Sequence, residues 1–348
     1  MRNLRIFIGV TISLLLLLVV LRGIDLENLR EVFSRANYLY LLPASLVLLS
    51  SFLLRSVRWG YLVAPLRDLP FGTLFRGVII GYFSNFILPA NTGELVRTYL
   101  IGRRVQMSKS SLLATIVVEK AMDILALILF LVITLFILPA SRWLRELAVL
   151  AGLLLALVWV VMLLSVYQHQ RATLMIERFL DRLSSNLTKK VMFRWGFFVD
   201  GLGSLRQGRR FVITLSLSLG LWATVMVAWY LTGRSLNLAL SLSSYALPLS
   251  VTFLASSIPT LPGRIGTFEF LVVACLGLLT VESSHALALA VLVRGIRLPP
   301  LALGYLLLSR EGFGLAEVRA RAGGSAIGRF HGGGDSQEGE ASPANRNP

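Results

Sequence analysis

Cysteine, histidine and charged side chains are all scarce in this chain of 348 residues. The one cysteine, Cys275, excludes an internal disulfide. The three histidines lie far apart at positions 169, 285 and 331, so we predict no metal site and no cofactor. Charged residues make up 15% of the chain, against about a quarter in soluble domains. Because 55% of the residues are hydrophobic, we predict that lipid surrounds most of the chain.

Acidic residues are also few, since 34 Lys and Arg face 18 Asp and Glu, for a formal charge of +16. In a soluble protein this excess would suggest nucleic acid. Here the basic residues cluster between apolar blocks, as the positive-inside rule describes for membrane proteins. The sequence also lacks phosphate-binding loops and hydrolase motifs. We therefore expect neither a nucleic-acid partner nor ATP-driven transport by this chain alone.

Six apolar segments are long enough to cross a bilayer, which takes about 20 residues. We predict full spans at 4–22, 38–57, 111–138, 147–166, 211–231 and 285–308. The first follows two arginines and resembles a signal peptide. Because it ends at Arg22 and Gly23 without a pattern of small residues for cleavage, we interpret it as an uncleaved span.

Two further apolar blocks, 71–91 and 242–281, are interrupted by proline and glycine that a helix cannot easily continue through. Irregular backbone at membrane depth is tolerated only inside protein or beside a wet cavity. We therefore predict two re-entrant hairpins whose breaks serve as hinges. The hinge residues are Pro89, Gly93, Pro262, Gly263 and Gly266.

The loop charges predict the orientation of the chain. We assign 58–70, 94–110, 167–210 and the tail after 309 to the inside, and the loop 167–210 alone carries nine basic residues. The loops 139–146 and 232–241, assigned to the outside, hold few charges. This bias predicts cytoplasmic termini in the cell (inner) membrane. We expect a membrane domain at 1–309, with 167–210 lying partly on the inner leaflet, and a mostly disordered tail at 310–348.

The two broken blocks share a pattern at an offset of 173 residues. Three residues of the first break recur in the second, Leu88, Pro89 and Gly93 as Leu261, Pro262 and Gly266. Opposite orientation of two such blocks is typical of transporters with inverted repeats. We therefore predict an all-α membrane protein with repeat halves at about 38–138 and 211–308.

Charged residues within the apolar segments are the candidate site, because an ionised group at the bilayer centre costs about 2.5–3.5 kcal/mol on insertion scales. The candidates for lipid binding are Glu94, Arg97, Glu119, Asp123, Glu269, Arg294 and Arg297. We assign no catalytic residue. Each candidate also has a structural interpretation, and the sequence leaves these alternatives open.

Capping and ion pairing are the structural alternatives. Glu94 fits a capping box with Asn91, and Glu269 suits the first turn of a helix capped by Thr267. Glu119 and Asp123 share one face of a helix, from which Lys120 points away. This pair of carboxylates indicates either an ion pair with an arginine on a neighbouring helix or a face that lines a transport cavity.

The two late arginines also have two interpretations. Arg294 and Arg297 lie midway along the last predicted span. They favour either a pair with Glu269 or Asp123, or a phosphate clamp, because guanidinium groups bind carboxylate and phosphate alike.

These residues, in this order, resemble the membrane region of the lysylphosphatidylglycerol synthase family, also called flippase-like domain proteins. The family pattern is P-x-R/N-x-G-E-x-x-R, then E-R-x-x-D, then P-x-x-x-G-x-x-E, then a late Arg. The resemblance covers roughly residues 5–310. Lys120 stands where Arg is usual, and Gly263 with Arg264 where Gly-Gly is usual.

The resemblance implies an integral membrane lipid translocase that handles an anionic phospholipid or an isoprenoid- or hopanoid-linked lipid. Lysyl transfer belongs to a soluble domain of the two-domain relatives and is not expected from about forty residues after the last span. The alternatives are a polyprenyl-phosphate-dependent transferase, with a carboxylate as general base, and a non-catalytic partner of a lipid-modifying enzyme. A homo-oligomer is also possible.

Overall fold

The computed structural model describes residues 2–88, 92–137, 208–255 and 264–311, together with a few isolated positions between 138 and 207. These parts consist of helices and turns. We number the helices in chain order as α1 Arg2–Arg22, α2 Leu26–Ser34, α3 Leu41–Val63, α4 Phe71–Ile87, α5 Gly93–Val105, α6 Lys109–Ile137, α7 Gly208–Ser235, α8 Ala246–Leu254, α9 Thr267–Gly277, α10 Ser283–Gly295 and α11 Leu298–Arg310. Short 3₁₀ turns precede α3 and α8.

The all-helical membrane fold is confirmed for this part of the chain. Four of its helical segments are long and apolar enough to cross a bilayer, namely Tyr38–Val63, Lys109–Ile137, Gly208–Ser235 and Ser283–Arg310. They coincide with four of the six predicted spans. The predicted first span is helical as α1. The predicted span at 147–166, most of the loops at 139–146 and 167–210, and the tail beyond 311 lie outside the described residues.

Helices extend into two segments that we predicted as inside loops. The segment 58–70 begins inside α3, where Arg58 is completely buried, and the segment 94–110 is mostly α5. Which side of the membrane the two segments face stays a prediction. The span predicted at 38–57 ended too early, before the charge of Arg58, whereas α3 continues to Val63. In the folded chain that charge is neutralised by neighbouring helices, so the helix continues.

The last predicted span, 285–308, is divided into α10 and α11 by a turn at Ile296 and Arg297. Pro299 and Pro300 follow at the start of α11 and lack the N–H groups that would bond one turn back. The carbonyl of Ile296 instead accepts a hydrogen bond from the Ser45 hydroxyl of α3 at 3.2 Å. The proline pair thus explains why the helix is interrupted.

At each break two short helices pack against each other, α4 with α5 and α8 with α9. None of these four reaches the length of a span. The hinge residues Pro89, Pro262 and Gly263 lie outside the described residues. Gly93 and Gly266 lie where second helices begin, and both are tightly packed. A β-carbon on Gly93 would lie 2.2 Å from the Gly81 carbonyl oxygen.

Helix bounds recur at the offset of 173 residues. Shifting α4, α5 and α6 by this number gives 244–260, 266–278 and 282–310, where the structure has α8, α9 and the pair α10 and α11. The packing is reciprocal, since α4 contacts α11 and α8 contacts α6. The equivalent helices α3 and α7 contact each other along their lengths and run antiparallel. At one end the Asn37 amide donates to the Ser235 carbonyl at 2.8 Å, and Arg58 contacts Ser218 farther along.

Candidate functional site

Arg58 of α3 is the centre of a buried network of charges. It is 0% exposed and donates to Asp123 at 2.6 and 3.3 Å, and to Glu119 at 3.0 Å. Both carboxylates belong to α6, where their spacing puts them on one face toward α3. The structure therefore confirms the structural alternative for this pair, an arginine on a neighbouring helix.

The network extends to the second repeat through α7. Ser218 accepts a hydrogen bond from Arg58 at 2.8 Å, and the indole N–H of Trp222 donates to Asp123 at 2.9 Å. Arg55 lies 3.7 Å from Asp123 and its guanidinium stands over the Trp222 ring. Side chains from α3, α6 and α7 are thus held together by polar contacts inside the membrane domain.

Arg97 joins α5 to the same network. It is buried, donates to Glu119 at 3.0 Å and stacks 3.6 Å above the Trp59 ring. Trp59 is itself fixed by a hydrogen bond to Thr115 of 3.0 Å. Three of the predicted lipid-binding residues, Arg97, Glu119 and Asp123, therefore lie in a buried network of protein contacts.

Glu94 lies at the start of α5. Its carboxylate accepts from Asn85 at 3.0 Å and pairs with Lys120 at 2.8 Å. Asn85 also accepts from the Gly93 amide at 2.7 Å, so it caps α5 from the neighbouring helix. The predicted cap at Asn91 lies outside the described residues. Lys120 is half exposed and does point away from the Arg58 network, as predicted.

Glu269 and Arg294 form the second charged centre. Their side chains pair at 2.5 Å, as one of the two interpretations of Arg294 predicted. Glu269 also accepts from the Gly266 amide at 2.7 Å, which is the half of a capping box that the N3 carboxylate supplies at the start of α9. The predicted cap at Thr267 was wrong by one residue, because Gly266, with φ of +87°, is the last residue before the helix.

Arg297 lies at the turn between α10 and α11. Its guanidinium stands 4.9 Å from the Phe268 ring, and Arg294 contacts the same ring at the same distance. Within the described residues Arg297 has no carboxylate within salt-bridge distance, whereas Arg294 has Glu269. An α-helix rises 1.5 Å per residue, so both arginines lie near the middle of the segment Ser283–Arg310.

Sequence reasoning missed Arg55, Arg58, Ser218, Trp222 and Asn85. Arg58 was missed because the predicted span ended before it, and Arg55, although inside that span, was not considered together with the carboxylates of α6. One signal was available, since two carboxylates on one face require a cation, and Arg55 and Arg58 share the spacing of three residues that suits such a face. No sequence signal identified Ser218, Trp222 or Asn85, whose types are common in apolar helices.

Trp222→Phe is predicted to lower the free energy of unfolding by about 1.5–3 kcal/mol, the usual worth of a hydrogen bond to a charged group. The ring packing against Phe253 is kept, whereas Asp123 loses its indole donor. Thermal unfolding in detergent measures the change. Trp229→Phe is the matched control, because Trp229 is as buried but packs on Phe268 without a carboxylate among the described residues. Equal losses in the two variants would contradict the prediction.

Comparison with known proteins identifies the family. One similar protein is the UPF0104 membrane protein of Methanothermobacter thermautotrophicus (strain Delta H), which is 23% identical over 309 residues, covering 83% of this chain and 89% of that protein. The family described as lysylphosphatidylglycerol synthase TM region matches residues 6–304, which is most of the chain. The chain belongs to the lysylphosphatidylglycerol synthase transmembrane family.

Proposed function

We propose that this protein moves an anionic lipid across the cell membrane, and that Arg294 and Arg297 bind the lipid phosphate. One observation carries the proposal. Two guanidinium groups lie near the middle of a membrane-length segment, and Arg297 has no carboxylate partner among the described residues. A charge so placed is costly and usually functional in membrane proteins. A phosphate group would supply the missing counter-charge.

The packing of the helices supports two inverted repeats as the machinery for movement. Equivalent helices α3 and α7 run antiparallel, and α4 and α8 each contact the last helix of the other half. Helices related by sequence offset and opposite direction match an inverted-repeat transporter. We propose that the repeats rock about their contact, that the broken blocks are re-entrant, and that both termini are cytoplasmic.

The roles proposed for the carboxylates follow from their contacts. Glu269 holds Arg294 in the empty site, and exchange of this contact for lipid phosphate would lower the barrier to entry without nucleotide. Glu94, with Lys120 on its exposed side, is proposed to contact the headgroup. Arg97, Glu119 and Asp123 are proposed to act on the lipid indirectly, by positioning α5, because each of them has an oppositely charged partner within the protein.

Arg297→Gln is predicted to reduce lipid movement at least about tenfold, the loss expected for one charge-assisted hydrogen bond. Purified protein in liposomes with a fluorescent anionic phospholipid, without nucleotide, measures the rate. Arg297 tests lipid binding more directly than Arg294 does, because removing Arg294 would also leave Glu269 buried without its cation. Glu269→Gln tests the same site by removing the carboxylate that pairs with Arg294.

Arg234→Gln is the matched control, because Arg234 is an exposed arginine at the end of α7. An equal loss in this control would attribute the effect to overall charge. If wild-type protein moves no lipid but forms product from a labelled polyprenyl-phosphate sugar, the chain is a transferase. If the protein neither moves lipid nor forms product, the chain is better explained as a non-catalytic partner of a lipid-modifying enzyme.

A further inference from the structure

Arg55 lies on the buried face of α3 but is not sealed inside the protein. Its neighbours one turn away on the same face are almost completely buried, Phe52 at 2% and Trp59 at 0% exposure. The exposed residues Leu53 and Val57 lie on the opposite face of the helix. The Arg55 side chain is nevertheless 15% exposed. This exposed part therefore faces an opening between the helices.

Arg55 is also the surplus cation of the Arg58 network. Three guanidinium groups, those of Arg55, Arg58 and Arg97, contact two carboxylates, those of Glu119 and Asp123. Arg58 and Arg97 hold the carboxylates by hydrogen bonds, whereas Arg55 lies 3.7 Å from Asp123, beyond hydrogen-bond length. The neighbouring ion pair at the start of α5 adds one charge of each sign. The network therefore carries one positive charge more than its carboxylates neutralise.

The N–H groups of Arg55 are within reach of an incoming anion. Its other measured contact is the Trp222 ring, 5.1 Å away, which attracts the charge but offers no oxygen to the N–H groups. Arg58 and Arg97 also have nitrogens without a hydrogen-bond partner among the described residues, but those atoms are buried. Arg55 is thus the guanidinium of the network that an anion can approach.

Two aromatic rings connect Arg55 with Arg297. The Trp222 ring beside Arg55 packs edge-on against Phe253, with ring centres 4.4 Å apart. Phe253 in turn lies 5.9 Å from the Arg297 guanidinium. Neither arginine has a hydrogen-bonded carboxylate in the part of the chain that the structure describes. Two cations of the same kind therefore belong to one continuous series of contacts through α3, α7, α8 and the turn before α11.

The two arginines lie at different depths. The Arg67 side chain, just after α3, donates to the Val105 carbonyl at the end of α5 at 2.7 Å. A hydrogen bond of 2.6 Å between side chains likewise joins the ends of α5 and α11. The three helices thus end together. Arg55 is eight residues, about 12 Å, before the end of α3, whereas Arg297 is thirteen residues, about 20 Å, before the end of α11. An anion that enters from this end meets Arg55 first.

We propose that Arg55 is a second binding site for the phosphate group of the lipid, located between this end of the domain and Arg297. The inference rests on the proposed function and adds a residue and a path to it. A phosphodiester carries one negative charge, which matches the one surplus charge of the Arg58 network. Guanidinium N–H groups suit phosphate oxygens. Two sites divide the path into shorter steps, and each can bind weakly enough to release the anion.

Arg55→Gln is expected to reduce the movement of fluorescent phosphatidylglycerol in liposomes about tenfold, the loss expected for one charge-assisted hydrogen bond. Arg55→Lys keeps the positive charge and is expected to keep most of the rate. Arg234→Gln is again the control, because this exposed arginine lies at the end of α7, and its rate is expected to equal that of wild-type protein.

Thermal unfolding in neutral detergent distinguishes lipid binding from a structural role. Arg55→Gln leaves Asp123 bonded to Arg58, so its unfolding midpoint is expected within about 2 °C of the wild-type value. Added phosphatidylglycerol is expected to raise the midpoint of wild-type protein by about 3 °C more than that of Arg55→Gln, because a ligand stabilises the protein that binds it. This second measurement does not depend on lipid movement.

The outcomes separate this inference from the proposed function. A wild-type rate in Arg55→Gln would overturn the inference, while lipid movement itself stands. A midpoint lowered by more than about 5 °C would assign Arg55 to the structural network and overturn the inference too. Absence of movement by wild-type protein would overturn the proposed function, and equal stabilisation of both proteins by the lipid would then overturn the Arg55 site as well. Millimolar inorganic phosphate is expected to leave the rates unchanged, and full competition by it would overturn the lipid as the ligand.

Discussion

Arg58→Met is expected to lower the free energy of unfolding by about 3–5 kcal/mol, the cost of breaking a buried ion pair from one side. Arg58 is 0% exposed and is the central cation for both Asp123 and Glu119. Methionine fills a similar volume but leaves the carboxylates with only Arg55 and Arg97. Ser218 and Trp222 of α7 would also lose the cation that orients the network.

Thermal and denaturant unfolding of the purified protein in detergent measures this loss. Combining Arg58→Met with Asp123→Asn removes one charge of each sign and keeps the pair of Arg97 and Glu119, so we expect part of the lost stability to return. Arg30→Met on α2 is the control, because Arg30 is exposed and such substitutions usually change stability by less than about 0.5 kcal/mol. If Arg58→Met lowers the free energy of unfolding no more than Arg30→Met does, the Arg58 network does not stabilise the fold.

Gly93→Ala is expected to lower the free energy of unfolding by about 3 kcal/mol, at the upper end for overpacking. A β-carbon there would lie 2.2 Å from the Gly81 carbonyl oxygen and 2.6 Å from the Asn85 amide nitrogen. Both are backbone atoms of α4, so no rotation of a side chain relieves the contact. Separation of α4 from α5 would also weaken the Asn85 cap and displace Glu94.

Gly220→Ala is the matched control, because no atom lies within 4 Å of a β-carbon at that position on α7. Alanine in an open helical position stabilises by roughly 0.5–1 kcal/mol. The two substitutions are therefore expected to shift thermal unfolding in opposite directions. The same sign of shift in both would contradict the close approach of α4 and α5.

Sequence patterns predicted the apolar helices well, because hydrophobicity and length alone indicate a bilayer-spanning segment. Four predicted spans coincide with membrane-length helices, although their bounds moved outward. The span predicted at 38–57 continues to Val63, and that predicted at 211–231 extends to 208–235. Helix ends within a membrane domain depend on which polar groups neighbouring helices neutralise, and a single-helix pattern does not contain that information.

Only part of the candidate site was predicted, because a sequence pattern shows which residues interrupt an apolar helix but not which neighbouring helix they contact. The pair of Glu269 and Arg294 was among the alternatives, because both residues interrupt otherwise apolar helices. The partner of Glu119 and Asp123 was missed, since Arg58 is 61 and 65 residues away along the chain. Cap positions were uncertain by one residue, because Gly266 and Thr267 both suit a helix start and only packing against α1 distinguishes them.

The correspondence of helices at the 173-residue offset does not extend to their chemistry. Arg58, Glu119 and Asp123 correspond to Leu231, Leu292 and Ile296, and Glu269 and Arg294 correspond to Val96 and Ala121. The two halves thus share helix bounds and differ in their charges, since the first carries the Arg58 network and the second carries the pair of Glu269 and Arg294. In the proposed rocking of the repeats, two conformations that exchange the roles of the halves would therefore differ in energy, and we expect the protein to rest with one side of the bilayer favoured.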